Sequence, residues 1–205
     1  MDSIIAKSLQ KAINYNAYRE LIKNLALNEV TTGLEQSDAL INYTKLNERR
    51  MKRWDKTIKV SQNHKEAVAA FSRSVTFLAI TESWCGDAAH VLPAINKVAE
   101  LNDNIDLKLV LRDENLELMD AFLTNGGRSI PKVIMIDNET GEVFDTYGPR
   151  PTEATNLVNE FKSKHGNLTP EFKEVLQHWY NKNKGQNIIE DITEILNKLS
   201  PVTSL

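Results

Sequence analysis

At 205 residues the chain is long enough to bury a sizeable core without help from disulfides, as one domain with additions or two small ones. Its formal net charge of -3 and 26% charged residues favour neither nucleic acid nor a membrane surface as partner. A single cysteine excludes any intramolecular disulfide, so thiol chemistry at that residue must be completed by another molecule.

The amino terminus, MDSIIAKSLQKAINYNAYRELI, lacks the roughly 7–15 consecutive apolar residues of a signal-peptide core, and no stretch approaches membrane-spanning length; the expectation is a cytoplasmic protein. Up to about residue 72 the apolar spacing is helical, and no strand is read there. Helices are predicted over 12–27, from a cap at Ser37 or Asp38 to about Lys56, and over 64–72. The basic run from Asn47 to Lys59 reads as a solvated helix face, because no aromatic platform for bases accompanies it.

VTFLAI at 75–80 is a β-branched run of strand length, followed by TES and then WCGDAAHVLPAINKVAELN, whose buried stripe predicts a helix with Pro93 inside it. IDLKLVL reads as the next strand, 115–124 as a helix, and Asn125, Gly126 and Gly127 as its stop. KVIMID and EVFDTYG, joined by NETG, are expected to pair as an antiparallel hairpin. Three helices follow: one opened by Thr152, one capped by Thr169 with Pro170 in its first turn, and one over 188–199. For the last, Asn187 and Glu190 have capping-box spacing and Ser200-Pro201 is the stop. The middle of the chain thus runs β, α, β, α, β, β, α, with parallel crossovers first and a hairpin last.

Four landmarks in this order resemble the thioredoxin family: a strand running into Trp84-Cys85-Gly86-Asp87, a helix start at that point, Pro93 eight residues on, and Ile130-Pro131 before a later strand. The resemblance implies an α/β fold, a thioredoxin-like three-layer α/β/α sandwich with a mixed central sheet. It places the domain at 73–165, with an N-terminal helical extension at 1–72 and a C-terminal one at 166–205 packed on it. Cys85 would be the attacking thiol. A cysteine at a helix amino terminus feels unpaired N–H groups and the positive end of the dipole, both of which favour thiolate. Trp84 offers a flat apolar surface and Gly86 close approach. Asp87 lies beside the thiol and should raise its pKa. By resemblance Pro131 is cis, and Ile130 with Pro131 forms an edge that docks an extended substrate segment. Arg128 would stand at the mouth, available to Cys85, Asp87 or an anionic thiol such as glutathione. His90, five residues after the cysteine, points away from it on a helix and reads as structural or solvent-facing. Trp179, Tyr180 and Phe172 read as core contacts. The four histidines lack partners at ligand spacing, so no metal is expected.

The sequence departs from the family at two places. Ala88 replaces the second cysteine of Cys-x-x-Cys, which speaks against dithiol reductase activity, and Ala79 stands where thioredoxins carry a buried aspartate. The leading reading is therefore a monothiol oxidoreductase that forms mixed disulfides with a protein thiol or with glutathione as co-substrate, and needs no further cofactor. The alternative is a binding or chaperone-like module that has lost redox activity. A cluster carrier of the monothiol glutaredoxin type is a third, weakened because the phenylalanine and serine usual there are Asp87 and Ala88 here. Substrate and oligomeric state are not readable from the residues.

Overall fold

A computed structural model describes residues 2–199. Its frame is a five-stranded mixed sheet of order β1-β3-β2-β4-β5, built from β1 (Ile13–Asn14), β2 (Val75–Thr81), β3 (Ile105–Leu111), β4 (Lys132–Asp137) and β5 (Val143–Tyr147). The helices are α1 (Ser3–Lys11), α2 (Tyr15–Leu27), α3 (Asp38–Thr57), α4 (Gln62–Ala69), α5 (Ala88–Ala99), α6 (Leu116–Ala121), α7 (Thr152–His165), α8 (Pro170–Asn183) and α9 (Gln186–Leu199).

Every residue of β2 is buried, as its continuous apolar run requires of a central strand covered on both faces. β2 pairs in parallel with β3 through the α5 crossover, with Ala79 opposite Leu109. The second crossover differs from expectation: after α6 the chain returns antiparallel to β2, with Ala79 opposite Val133, and β5 then closes the hairpin on β4. A short apolar run fixes that a strand exists, but its direction is set by the path of the connecting segment.

The N-terminal segment is not purely helical. Ile13 and Asn14 pair antiparallel with Leu109 and Lys108, so the helix expected from residue 12 begins at Tyr15, and Asn14 caps it by accepting from Ala17 N at 2.8 Å. α1 was not among the expected helices. Its amphipathic turns place Ile5 and Ser8 inward, and Asp2 caps it. At the other end Asn187 lies inside α9 rather than capping it. Its side-chain oxygen accepts from Glu153 N at 2.9 Å and so ties α7 to α9. Ser200 and Pro201, expected as the final stop, lie outside the described residues.

The helical flanks pack onto the domain and hold the loop that follows β2. α5 lies against both α3 and α9, and α2 against α3 and β3. Between α2 and α3 the chain carries Thr31 and Thr32, whose hydroxyls meet Thr44 and Ser83 in a buried network with contacts of 2.7–3.1 Å. Asn47 adds a donor to Ser83 O at 2.9 Å. Ser83 leads directly into Trp84 and Cys85, so polar groups of the flank hold the loop from which the cysteine projects.

Candidate functional site

The site lies beyond the carboxyl end of β2, where a crevice is expected in an open α/β sheet. Cys85 N donates to Glu82 O at 3.1 Å and Cys85 O accepts from Ala89 N at 3.2 Å, so helical hydrogen bonding starts at the cysteine itself. Its thiol donates to Ile130 O at 3.2 Å and accepts from Ala88 N at 3.4 Å. The Ile130–Pro131 peptide bond is cis. Close by, Gly148 has φ +102°, and a Cβ there would fall 2.3 Å from Pro131 O; only glycine lets the two segments meet.

Cys85 is 7% exposed. Burial, then the neighbouring Asp87 carboxylate, push the thiol up to about 12 against the opposing pull of backbone N–H groups and Arg150. The helix-terminus effect is present and outweighed.

Asp87 is held from two sides. Arg150 Nη2 lies 2.6 Å from Oδ2, and Tyr180 donates its hydroxyl to Oδ1 at 2.9 Å. Burial still raises the Asp87 pKa. His90 is enclosed rather than solvent-facing: Trp54 Nε1 donates to its Nδ1 at 2.8 Å, which places the ring proton on Nε2, facing Gln177 Oε1 at 3.2 Å. Tyr180 stacks on the imidazole with centroids 4.2 Å apart. Burial, with Arg50 adding repulsion, lowers the His90 pKa to about 3, so it is a neutral structural hinge between α3, α5 and α8.

Cys85, Trp84, Gly86, Asp87, Ile130 and Arg128 line one pocket of about 490 Å³, and Pro131 sits buried behind Ile130. α8 forms a wall of it through Leu176, Gln177 and Tyr180. Of the partners open to Arg128, Asp87 is taken by Arg150 instead, and the Arg128 guanidinium holds Asp120 in a two-point bond at 2.6 and 2.7 Å. Spacing within the sequence could not reveal this, since Arg150 and Tyr180 reach Asp87 from 63 and 93 residues away. The reading of 47–59 as a solvated face is corrected at Arg50, which turns inward, lines the pocket and would sit 3.6 Å from a Cβ on Gly86. Glu82 is also buried, accepting from Asp113 N at 2.9 Å, and burial raises its pKa. Its place three residues before Cys85, at the end of an apolar strand, was the available signal.

A sequence model of the thioredoxin family matches residues 33–162, more than half of the chain and reaching from the loop before α3 into α7. The chain belongs to the thioredoxin family. Within that membership the solved structures show the fold alone. A protein of unknown function from Pseudomonas aeruginosa has a TM-score of 0.67 at 17% identity, covering 98% of this chain and 100% of its own. An HIV epitope-scaffold has a TM-score of 0.57 at 16% identity, covering 91% of this chain and 99% of its own. No curated protein matches the sequence. Both likenesses extend over the flanks as well as the thioredoxin-like centre. Among the described residues of this thioredoxin-family chain no helix is long and apolar enough to cross a membrane. Nor is there a group of three or more His, Cys, Asp or Glu residues that could hold a metal ion.

Proposed function

We propose that this thioredoxin-family protein carries out monothiol exchange through Cys85. The Cys85 thiolate attacks a disulfide R–S–S–R, the Cys85–S–S–R bond forms, and R–S⁻ leaves. An external thiolate R′–S⁻ then attacks the sulfur of R, releasing R–S–S–R′ and returning Cys85 as thiolate. Ala88 leaves no internal thiol for that second step. The observation that carries this reading is placement: the chain's one sulfhydryl lines the pocket at the start of α5, beside the carbonyl of Ile130.

The thiol's elevated pKa favours a second reading, a binding module without exchange. At pH 7 a thiol titrating near 12 is thiolate to about one part in 10⁵, and its greater intrinsic nucleophilicity recovers only about half of that exponent. Exchange is then slow in the resting state and requires the pocket to open or its charge to change.

The test is incubation with glutathione disulfide across pH 7–10, reading the mixed-disulfide mass on Cys85 and its removal by added thiol. Adduct formation that rises with pH and reverses with thiol is the expected result. No adduct, with partner capture unchanged in Cys85→Ser, sinks exchange and leaves the binding module.

A further inference from the structure

The pocket beside Cys85 is strongly one-signed. Five cationic side chains line it, Arg50, Arg112, Arg128, Arg150 and Lys173, against the single carboxylate of Asp87. Three of the five are engaged: Arg112 with Asp113, Arg128 with Asp120 and Arg150 with Asp87. Among the described residues Arg50 has one side-chain hydrogen bond, to the neutral Asn47 Oδ1 at 3.1 Å, and it feels the Asp87 carboxylate only at longer range, that group being bonded to Arg150. The Lys173 side chain has no hydrogen bond or ion pair among the described residues. Arg150 Nε is in addition buried with no hydrogen-bond partner among the described residues, an unsatisfied donor in the pocket wall. An unpaired buried donor and a half-buried cation such as Arg50 are costly unless something fills them, whereas Lys173 is exposed and adds only its charge at the rim. Between the charges the lining is apolar, with Leu40, Tyr43, Trp84 and Leu176. The volume suits a small molecule, and the α8 wall with 7% exposure of both Cys85 and Ile130 leaves no open strand edge for a polypeptide.

We infer that this pocket binds a small amphipathic anion, a low-molecular-weight thiol or its disulfide bearing a carboxylate or phosphate. Arg50 and Lys173 are its anion contacts, the apolar wall takes its body and its sulfur lies toward Cys85. Only the placement of sulfur rests on the exchange reading; the anion site stands on the cations.

The experiment uses two probes that cannot exchange, S-methylglutathione for carboxylate and phenyl phosphate for phosphate, titrated by calorimetry into the full chain. The dimethyl ester of S-methylglutathione, which loses both carboxylates and keeps only its ammonium, serves as the comparator without anionic charge. At least one anion is expected to saturate the site and to weaken with added salt, and the tighter of the two identifies the headgroup. Arg50→Gln should cost about tenfold in affinity and Lys173→Gln, being more exposed, about threefold, with Arg50→Lys recovering part. Binding should persist in Cys85→Ser, so failure of exchange and failure of the anion site are read separately. Absence of saturation by either anion, or an ester that binds as well as the acid, overturns the inference. If Arg50→Gln unfolds, the ester and salt comparisons on the unaltered chain still decide.

Discussion

Cys85 and Tyr180 face the same pocket from different foundations. Cys85 belongs to the large core around the sheet, with Phe77, Leu78, Ile80, Leu92 and Ile95 fully buried about it. Tyr180 belongs to a cluster of five buried residues between α7 and α8, with Ala154, Val158, Phe172 and Leu176. Beside this pocket α8 is joined to the main body by a few polar contacts, Tyr180 to Asp87, Gln177 to His90, and Arg53 Nη2 to Asn181 Oδ1 at 2.6 Å, together with the stacking of Tyr180 on His90. The floor of the site therefore has the stability of the whole fold, whereas the wall rests on a small cluster, a few hydrogen bonds and one ring stack. Regions so built open locally at lower cost than global unfolding.

The contrast is sharpest in a pair of truncations. Phe77→Ala in β2 should remove about 3–5 kcal/mol from the cooperative unfolding of the whole chain, measured by denaturant melts. Phe172→Ala should instead lose amide protection chiefly in α7 and α8, with the β2 and β4 amides keeping theirs in hydrogen exchange. Equal global losses in both variants would erase the distinction.

Acid probes the joint between the two regions. Folded His90 stays neutral down to about pH 3, while in the unfolded chain it takes a proton near 6.5. The unfolded state thus binds more protons in that window, and stability falls as pH falls through it, by up to about 1.4 kcal/mol per pH unit. His90→Gln should flatten that limb of the stability curve. A protonated His90 would also present two donors and could no longer accept from Trp54 Nε1.

Smaller effects follow at the thiol. Alkylation of Cys85 by iodoacetamide should keep climbing through pH 10 with no plateau near 8.5. Phe172→Ala should speed it severalfold by loosening the wall. Smallest of all, Arg128→Ala removes a solvent-screened surface pair and should leave the alkylation rate nearly unchanged.

Much of the frame is legible in the sequence because its strands are continuous apolar runs and its helices start at recognisable caps. β2, β3 and β4 lie where VTFLAI, IDLKLVL and KVIMID stand, and Thr169 accepts from Phe172 N as a capping residue should. β1 escapes because two residues between helices carry no periodicity, and only the edge of β3 makes them a strand. For the site, periodicity tells which face of α3 is buried against its own domain, through Met51 and Trp54. It cannot tell that the ridge bearing Arg50 looks across at α8. The partners of Asp87 are hidden for the same reason, being brought together by the packing of helices distant in the chain.

The ion pair between Asp87 and Arg150 also constrains how this sequence can drift. A chain that lost Arg150 alone would keep a buried carboxylate with one hydroxyl for company, and one that lost Asp87 alone would strand a guanidinium beside a thiol. Either single change carries a penalty that the double change avoids. Substitutions at 87 and 150 should therefore travel as a pair through the lineage.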